Sequence, residues 1–391
     1  MKVNIVDFYP SDKKMTKKLY NFIIEHYKDD PYFVPTLKID LLGSKLLGIK
    51  GLLRNDHPFF EHAEAKYFMA FDENSRPVGS IAAVINHAHN QYHNENIGFF
   101  GFFECIEDYK VAKKLLDSAK EFLKSKGIKI VRGPANFSTN EPVGLMISGF
   151  DNIPYMYTAY NKKYYQDFIE KYGGIKVMDL IAMLMPVVIE DEEKEKERKE
   201  RMAKLVNKIK DRYNIRIENF KKSSKKHLED IELIYREAWK DNWGFVPPTK
   251  KEFKILADSL KIAADPLLVK IAYINNEPAA FIGALPDINE VVHRKKKSNE
   301  FIKLFSLIWY LFRKKFTRTR LMLFGIREQF RRTGVDSVLF YEEFESARYK
   351  GRKYKDCEIS WLLETNTLII NAAKRQNAEE YKRWRLYDIS I

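Results

Sequence analysis

Cysteine is nearly absent: the 391 residues hold two, Cys105 and Cys357. Far apart and without a Cys-x-x-Cys spacing, they exclude a disulfide scaffold and a cysteine-based zinc site, and a reducing, cytoplasmic location is expected. Glycine (17) and proline (14) are too thinly spread for a collagen-like or low-complexity chain. Long apolar runs are lacking as well. The longest nearly pure one, 180–189, carries Pro186 and has about half the ~20 residues that a membrane span needs. The N-terminal stretch meets Asp7 before any apolar core of secretory length, so no signal peptide is expected and the chain reads as soluble.

What is present suits a globular protein. A hydrophobic fraction of 45% over 391 residues leaves room for two or three domains of roughly 150 residues each, with sizeable cores. The net charge is +14, from 68 Lys and Arg against 54 Asp and Glu, a field that favours anionic partners without choosing among them and that also serves solubility. No helix-turn-helix, zinc-finger or RNP-type signature accompanies the basic clusters, so nucleic acid is not an expected partner.

One segment divides the chain. From Glu190 to Arg201 twelve consecutive residues are charged, and the apolar positions 202, 205, 206 and 209 that follow keep the helical period. Acidic-to-basic pairs four residues apart, such as Glu190/Lys194 and Glu197/Arg201, support an exposed connecting helix. On either side the order of elements repeats. The first half reads as a helix at 15–27, strands at 66–71, 78–85 and 97–103, a helix at 111–124, a strand at 128–131, a helix at 164–172 and a strand at 177–185. The second reads as a strand at 213–220, helices at 227–240 and 250–261, and a hairpin of 267–273 with 278–285. A strand at 320–326, a helix at 337–348, a strand at 357–363, a helix at 367–375 and a strand at 384–389 complete it. This predicts an α/β (α+β) chain of two like folds, each a mixed sheet with helices on its faces, over 1–187 and 213–391, joined by a charged helical linker at 188–212.

The run Leu321-Met-Leu-Phe-Gly-Ile-Arg-Glu-Gln-Phe-Arg-Arg-Thr-Gly-Val-Asp336 is a strand, a short loop and a helix start. It resembles the acyl-coenzyme A loop of the GNAT acetyltransferase superfamily, [Gln/Arg]-x-x-Gly-x-[Gly/Ala], with Arg331 in the first position and Gly334 in the fourth. Exposed N–H groups at a helix start, a glycine and neighbouring arginines make a pyrophosphate cradle. The resemblance implies a cofactor-binding set of Ile326, Arg331, Arg332, Thr333, Gly334, Val335, Asp336, Ser337 and Asn371, the last for the pantetheine arm, and acetyl-CoA or a longer acyl-CoA as co-substrate. Ile359 to Asn366 is similar to the strand after which the GNAT sheet splays. Two departures stand out: the sixth position is Asp336 rather than a small residue, and the helix after Asn371 lacks the tyrosine with which many GNAT enzymes protonate the leaving thiolate. In the first half, Glu104 to Val111 has no glycine and three carboxylates where the loop belongs, so that half is a degenerate copy not expected to bind coenzyme A. The pairing is similar in outline to N-myristoyltransferases and Fem-type aminoacyl transferases. The whole chain resembles a group of bacterial double-GNAT proteins through His57 to His62 (His-Pro-Phe-Phe-Glu-His), Asn86 to Asn90 (Asn-His-Ala-His-Asn) and Gly133 to Asn136 (Gly-Pro-Ala-Asn).

The resemblance implies a GNAT-type N-acyltransferase acting on a small-molecule amine held between the domains, with a non-catalytic acyl-CoA-binding or membrane-surface protein as the alternative. Five of the eight histidines fall between 57 and 93. His87, His89 and His93, in an expected loop, have a zinc-like spacing, but without a carboxylate or cysteine of fixed spacing no metal is expected, and an imidazole there suits a proton acceptor better. The catalytic candidates are therefore His87, His89 and Glu141. Asn136, Ser138, Thr139 and Asn140 concentrate polar groups after a strand and are the candidate substrate-binding residues. Finally, 301–312 has ten apolar residues in twelve with basic flanks. It reads as a helix packed over the second sheet or capping the acceptor groove, which the family resemblance implies is an insertion between the third and fourth strands of the second domain, with peripheral contact to an anionic membrane through 301–320 as the competing expectation.

Overall fold

The structure, a computed structural model, describes residues 2–45, 48–138, 141–187, 192–348 and 352–391. The candidates Thr139 and Asn140, and positions 188–191 of the expected linker, lie outside the described residues. The first half runs β1 (Asn4–Phe8), α1 (Lys13–His26), α2 (Lys38–Leu42), β2 (Ala63–Phe71), β3 (Pro77–Asn86), α3 (His87–His93) and β4 (Ile97–Cys105). It continues through α4 (Tyr109–Ser125), β5 (Ile130–Gly133), β6 (Leu145–Ser148), α5 (Tyr165–Lys171) and β7 (Ile175–Pro186). The connecting helix α6 (Glu192–Tyr213) leads to β8 (Ile215–Asn219), α7 (Lys225–Trp239), α8 (Lys250–Ala263), β9 (Val269–Ile274), β10 (Glu277–Pro286), α9 (Asn289–Arg294) and α10 (Glu300–Arg313). The chain ends with β11 (Arg318–Ile326), α11 (Val335–Ala347), β12 (Asp356–Leu363), α12 (Thr367–Lys374) and β13 (Glu379–Ser390).

Local chemistry sets the boundaries. Asp12 and Asp108 cap α1 and α4, their Oδ1 atoms accepting the N–H of Lys14 and Lys110 at 2.9 Å. Thr249 and Glu252 form a reciprocal capping box at the start of α8. The segment 87–93, expected as a loop, is instead the short helix α3. The Asn86 side chain accepts the His89 N–H at 3.1 Å, and a capping asparagine directly after a strand turns the chain into a helix at once.

Strand alternation separates two layers. On β3, Ile81, Ala83 and Ile85 join the core under α4, whereas Ala82 and Val84 join the core under α1. On β7, Ile181 and Met183 face the core under α11, and Leu180 and Ala182 face that of α1. Thus α4 and α11 cover one face of a common sheet, and α1 lies on the other, as do α7 and α8.

That sheet is continuous through both halves in the order β1-β2-β3-β4-β5-β13-β7-β12-β11-β10-β9-β8, with β6 on β13. Each half's last strand is exchanged. β13, at the end of the chain, pairs with β5 of the first half (Tyr387 opposite Gly133), and β7 pairs with β12 of the second (Met185 opposite Cys357).

In both halves the parallel pair at the centre parts early. β11 and β12 are in register only over Arg318–Leu321 and Asp356–Ile359, and β4 and β5 only over Ile97–Phe99 and Ile130–Arg132. In the first half the chain fills its own gap. Ala135 N–H donates to the Phe100 carbonyl at 2.7 Å, Phe102 N–H donates to Asn136 Oδ1 at 2.8 Å, and a Cβ on Gly101 would stand 2.2 Å from the Ala135 oxygen.

Candidate active site between the two halves

A cavity of about 330 Å³ lies on the face of the sheet that carries α1 and α8, with walls from both halves. The first half contributes Ile23 of α1, Asp40 of α2, the turn at His57 and Phe59, the end of β4 and the loop after β5. The second contributes Glu252, Ile255 and Leu256 of α8 and Ile288, Asn289 and Val292 around α9. Aromatic packing holds the first wall: Phe59 stacks on Phe137 with ring centroids 4.7 Å apart, and Phe102 meets Phe137 edge-on. The His57-to-His62 and Gly133-to-Asn136 segments therefore meet at one place. Asn86 of the third segment lies next to them, beside His62.

The lining is more apolar than polar and carries a charged spot. The described lining residues include four carboxylates, Asp40, Glu104, Glu141 and Glu252, and one lysine, Lys50. Burial, reinforced by the charges of Asp40 and Glu252, pushes the Glu141 carboxyl up to about 8. Burial in the cleft and the nearby Glu300 push Asp40 up to about 7, although Asp40 stays accessible to solvent, so Glu141 is the more enclosed of the two. Burial alone would raise Glu252, but His62, with Nε2 3.0 Å from Oε1, and the Thr249 N–H, 2.8 Å from Oε2, hold it below its usual range. Burial drives the Tyr157 hydroxyl well above its usual value, aided by Asp40 and Glu141. Glu104 is committed within the first half, accepting from the hydroxyls of Tyr27 (2.6 Å) and Tyr165 (2.7 Å). Burial lowers His57, whose Nδ1 accepts the Phe59 N–H at 3.3 Å; its ring in the neutral state therefore carries its proton on Nε2.

Of the residues singled out in the sequence, Glu141, Asn136 and Ser138 line this cavity. The histidines of α3 do not. His87 is half exposed with Nε2 3.2 Å from Glu64, His89 is buried against Glu95 at 2.9 Å, and His93 lies 2.8 Å from the Phe245 carbonyl. Among the described residues no group of three or more His, Cys, Asp or Glu could hold a metal ion. Asp40, His57, Tyr157 and Glu252 were not singled out as site residues. Thr249-Lys-Lys-Glu252 has the sequence of an ordinary capping box, and Asp40 sits on a five-residue helix that carries no pattern; only the His57 segment gave a signal.

The cofactor set forms a second locus, at the start of α11. Gly334 is the N-cap, at φ +79°, the left-handed region that favours glycine. Arg331 and Arg332 are exposed beside it, and the Thr333 hydroxyl donates to the Phe330 carbonyl at 2.7 Å. Ile326 ends β11, Val335 is buried, and Asn371 is exposed on α12. Asp336 and Ser337 line a cavity of about 190 Å³ bordered by α6, α11 and α12. β11 and β12 part after Leu321 and Ile359. There Arg320 of β11 donates to Ser360 Oγ of β12 at 2.8 Å and to the carbonyl of Met156, which lines the cavity between the halves.

No family model matches the chain. Protein YghO of Escherichia coli (strain K12) is 30% identical over 387 residues, covering 97% of this chain and 94% of that protein. The bacterial ceramide synthase of Caulobacter vibrioides is 30% identical over 342 residues, 86% of each chain. Among solved structures, a tandem GNAT protein from the clavulanic acid biosynthesis pathway covers 100% of this chain and 98% of its own, with a TM-score of 0.57 at 8% identity. A GCN5-related N-acetyltransferase from Sphaerobacter thermophilus covers 99% and 95%, with a TM-score of 0.52 at 11% identity. At such identities the likeness is one of fold.

Proposed function

The chain belongs to the family of Protein YghO and the bacterial ceramide synthase and has the tandem GNAT fold, and on that premise we propose that it transfers an acyl group from coenzyme A to the amine of an amphiphilic acceptor. The observation that carries this reading is the cavity between the halves, apolar over most of its wall and strongly acidic at one spot. A cationic ammonium relieves the repulsion among Asp40, Glu141 and Glu252, and the apolar wall takes the tail attached to it. One relative is named for ceramide synthesis, and a ceramide is the amide of a long-chain amine, which fits the same chemistry.

The second half holds the donor in this reading. The first N–H groups of α11 have no partner within the helix and receive the pyrophosphate beside Gly334, with Arg331 and Arg332 adding charge. The pantetheine arm follows the gap between β11 and β12, with exposed Asn371 on the helix beyond. Coenzyme A supplies an activated thioester. Glu141 in its ionised form takes a proton from the acceptor ammonium, the freed nitrogen attacks the thioester carbonyl, and the C–N bond forms as the C–S bond breaks. The thiolate leaves and, through solvent, takes up the second proton that the nitrogen sheds as the amide forms. A carboxylate held near 8 is basic enough for this proton transfer close to neutral pH.

Free thiol appearing from acyl-CoA in the presence of a long-chain amine, beside calorimetric titration with the acyl-CoA alone, tests the proposal. Glu141→Gln is expected to keep acyl-CoA affinity and to lower turnover about a hundredfold. Absence of acyl-CoA binding by the wild type overturns the donor assignment, and thiol release that Glu141→Gln leaves unchanged overturns the role of the cavity.

A further inference from the structure

Helix α10 has two apolar faces. Its inner face, with Leu307 buried and Leu304 and Leu311 partly so, packs on the second core. Its outer face presents Phe301 at 87% exposure, Phe305 at 73%, Ile308 at 66% and Phe312 at 81%, with Trp309 beside them. Spacings of four, three and four residues keep these on one side of the helix. A run of large apolar side chains this open on a folded chain marks an interaction surface.

The surrounding charge selects the partner. Between residues 293 and 315 the sequence has eight Lys and Arg against one acid, Glu300. Glu300 is turned inward, its Oε1 accepting the Lys38 N–H of α2 at 2.7 Å. Lys295, Lys297, Arg313 and Lys314 are exposed at the two ends of α10, and none of their side chains makes a hydrogen bond or ion pair among the described residues. Lys315 lies over the Trp309 ring, 4.4 Å from its centroid. Fourteen residues are too few to cross a bilayer, and among the described residues no helix is long and apolar enough to do so.

We propose that α10 docks this protein on an anionic membrane surface, its Phe301–Phe312 face entering the headgroup region and the flanking lysines and arginines meeting lipid phosphates. The helix adjoins the cavity between the halves: Glu300 touches α2, which carries Asp40, and α9, just before α10, contributes Asn289 and Val292 to the cavity wall. Docking thus brings the cavity to the bilayer, where an amphiphile resides. The docking itself does not depend on the acyl-transfer reading.

Co-sedimentation with vesicles of phosphatidylcholine alone, or of phosphatidylcholine with phosphatidylglycerol, tests this. The wild type should pellet with the anionic vesicles, remain in solution with the neutral ones, and be released as salt rises. Replacing Lys295, Lys297 and Lys314 together by Ala should weaken partitioning about a hundredfold, each cation near an anionic surface being worth roughly fivefold. Phe301→Ser, Phe305→Ser and Phe312→Ser together should weaken it by at least about tenfold while the far-UV spectrum and melting temperature stay unchanged or rise. A wild type that stays in the supernatant overturns the proposal, as do triple variants that pellet like the wild type. So does a wild type that forms dimers in buffer and ignores vesicles, with the phenylalanine variant monomeric; that result makes the face a contact between copies of the chain.

Discussion

Glu141 sits on the loop after β5, in the cavity that Asp40 and Glu252 also line, and its affinity for a proton follows from burial reinforced by their charges. With its folded value near 8 against an ordinary 4.5, the folded state holds the proton more tightly than the unfolded chain. Its contribution to stability is therefore fully present below about pH 4.5 and is lost as pH rises through about 8. Urea unfolding at a series of pH values should show Glu141→Gln gaining on the wild type by on the order of 2 kcal/mol across that window, with no difference at the acid end. A second substitution tests the filled gap of the first half. Gly101→Ala places a methyl 2.2 Å from the Ala135 oxygen and should cost about 2–4 kcal/mol in the same measurement, as the loop that carries Asn136 and Ser138 is displaced. At this scale the sequence was partly legible. Concentrated polar residues after a strand drew attention to Asn136, Ser138 and Glu141, whereas Asp40 and Glu252 join them only through tertiary packing, and histidine number drew attention to α3, whose imidazoles are occupied by Glu64, Glu95 and the Phe245 carbonyl.

Elements were the most legible scale, because amphipathic periods and turn residues are local signals. The helices expected at 111–124 and 250–261 appear as α4 and α8 at nearly those bounds, and the paired strands 66–71 and 78–85 as β2 and β3. The short pieces escaped. β1, β6 and α2 have four or five residues each, too few for a period to show, and α3 depends on a single asparagine cap. The connecting helix α6 does more than its exposed charges suggest. Val206 is buried, and Ile209 lies against Gly334 at the start of α11. Gly334→Ala forces a side chain into the left-handed region with Ile209 atoms 3.3 Å from the new methyl. It should lower stability by about 1–2 kcal/mol and, in calorimetry, weaken acyl-CoA binding by a larger factor than it affects the fold.

For the whole molecule, the exchange of last strands is what local patterns do not encode. Each half has the alternation for its own final strand, but nothing within 175–186 or 379–390 says which neighbour it will take; the pairing of β13 with β5 and of β7 with β12 is settled by long-range registry. Deleting residues 379–391 removes the strand between β5 and β7 and takes Trp384, fully buried, out of the first core. The truncated chain should lose cooperative unfolding in both halves, seen by calorimetry as the loss of the wild-type transition rather than of part of it. The continuous sheet carries both loci, the turn at the start of α11 in one half and the acidic cavity with walls from both, and the proposed acyl transfer needs the two together. Its most direct test is incubation with acyl-CoA labelled at the carbonyl carbon and a long-chain amine, followed by mass spectrometry. The wild type should yield a labelled amide, formed about a hundredfold more slowly by Glu141→Gln. Label recovered only as thioester or free acid contradicts it.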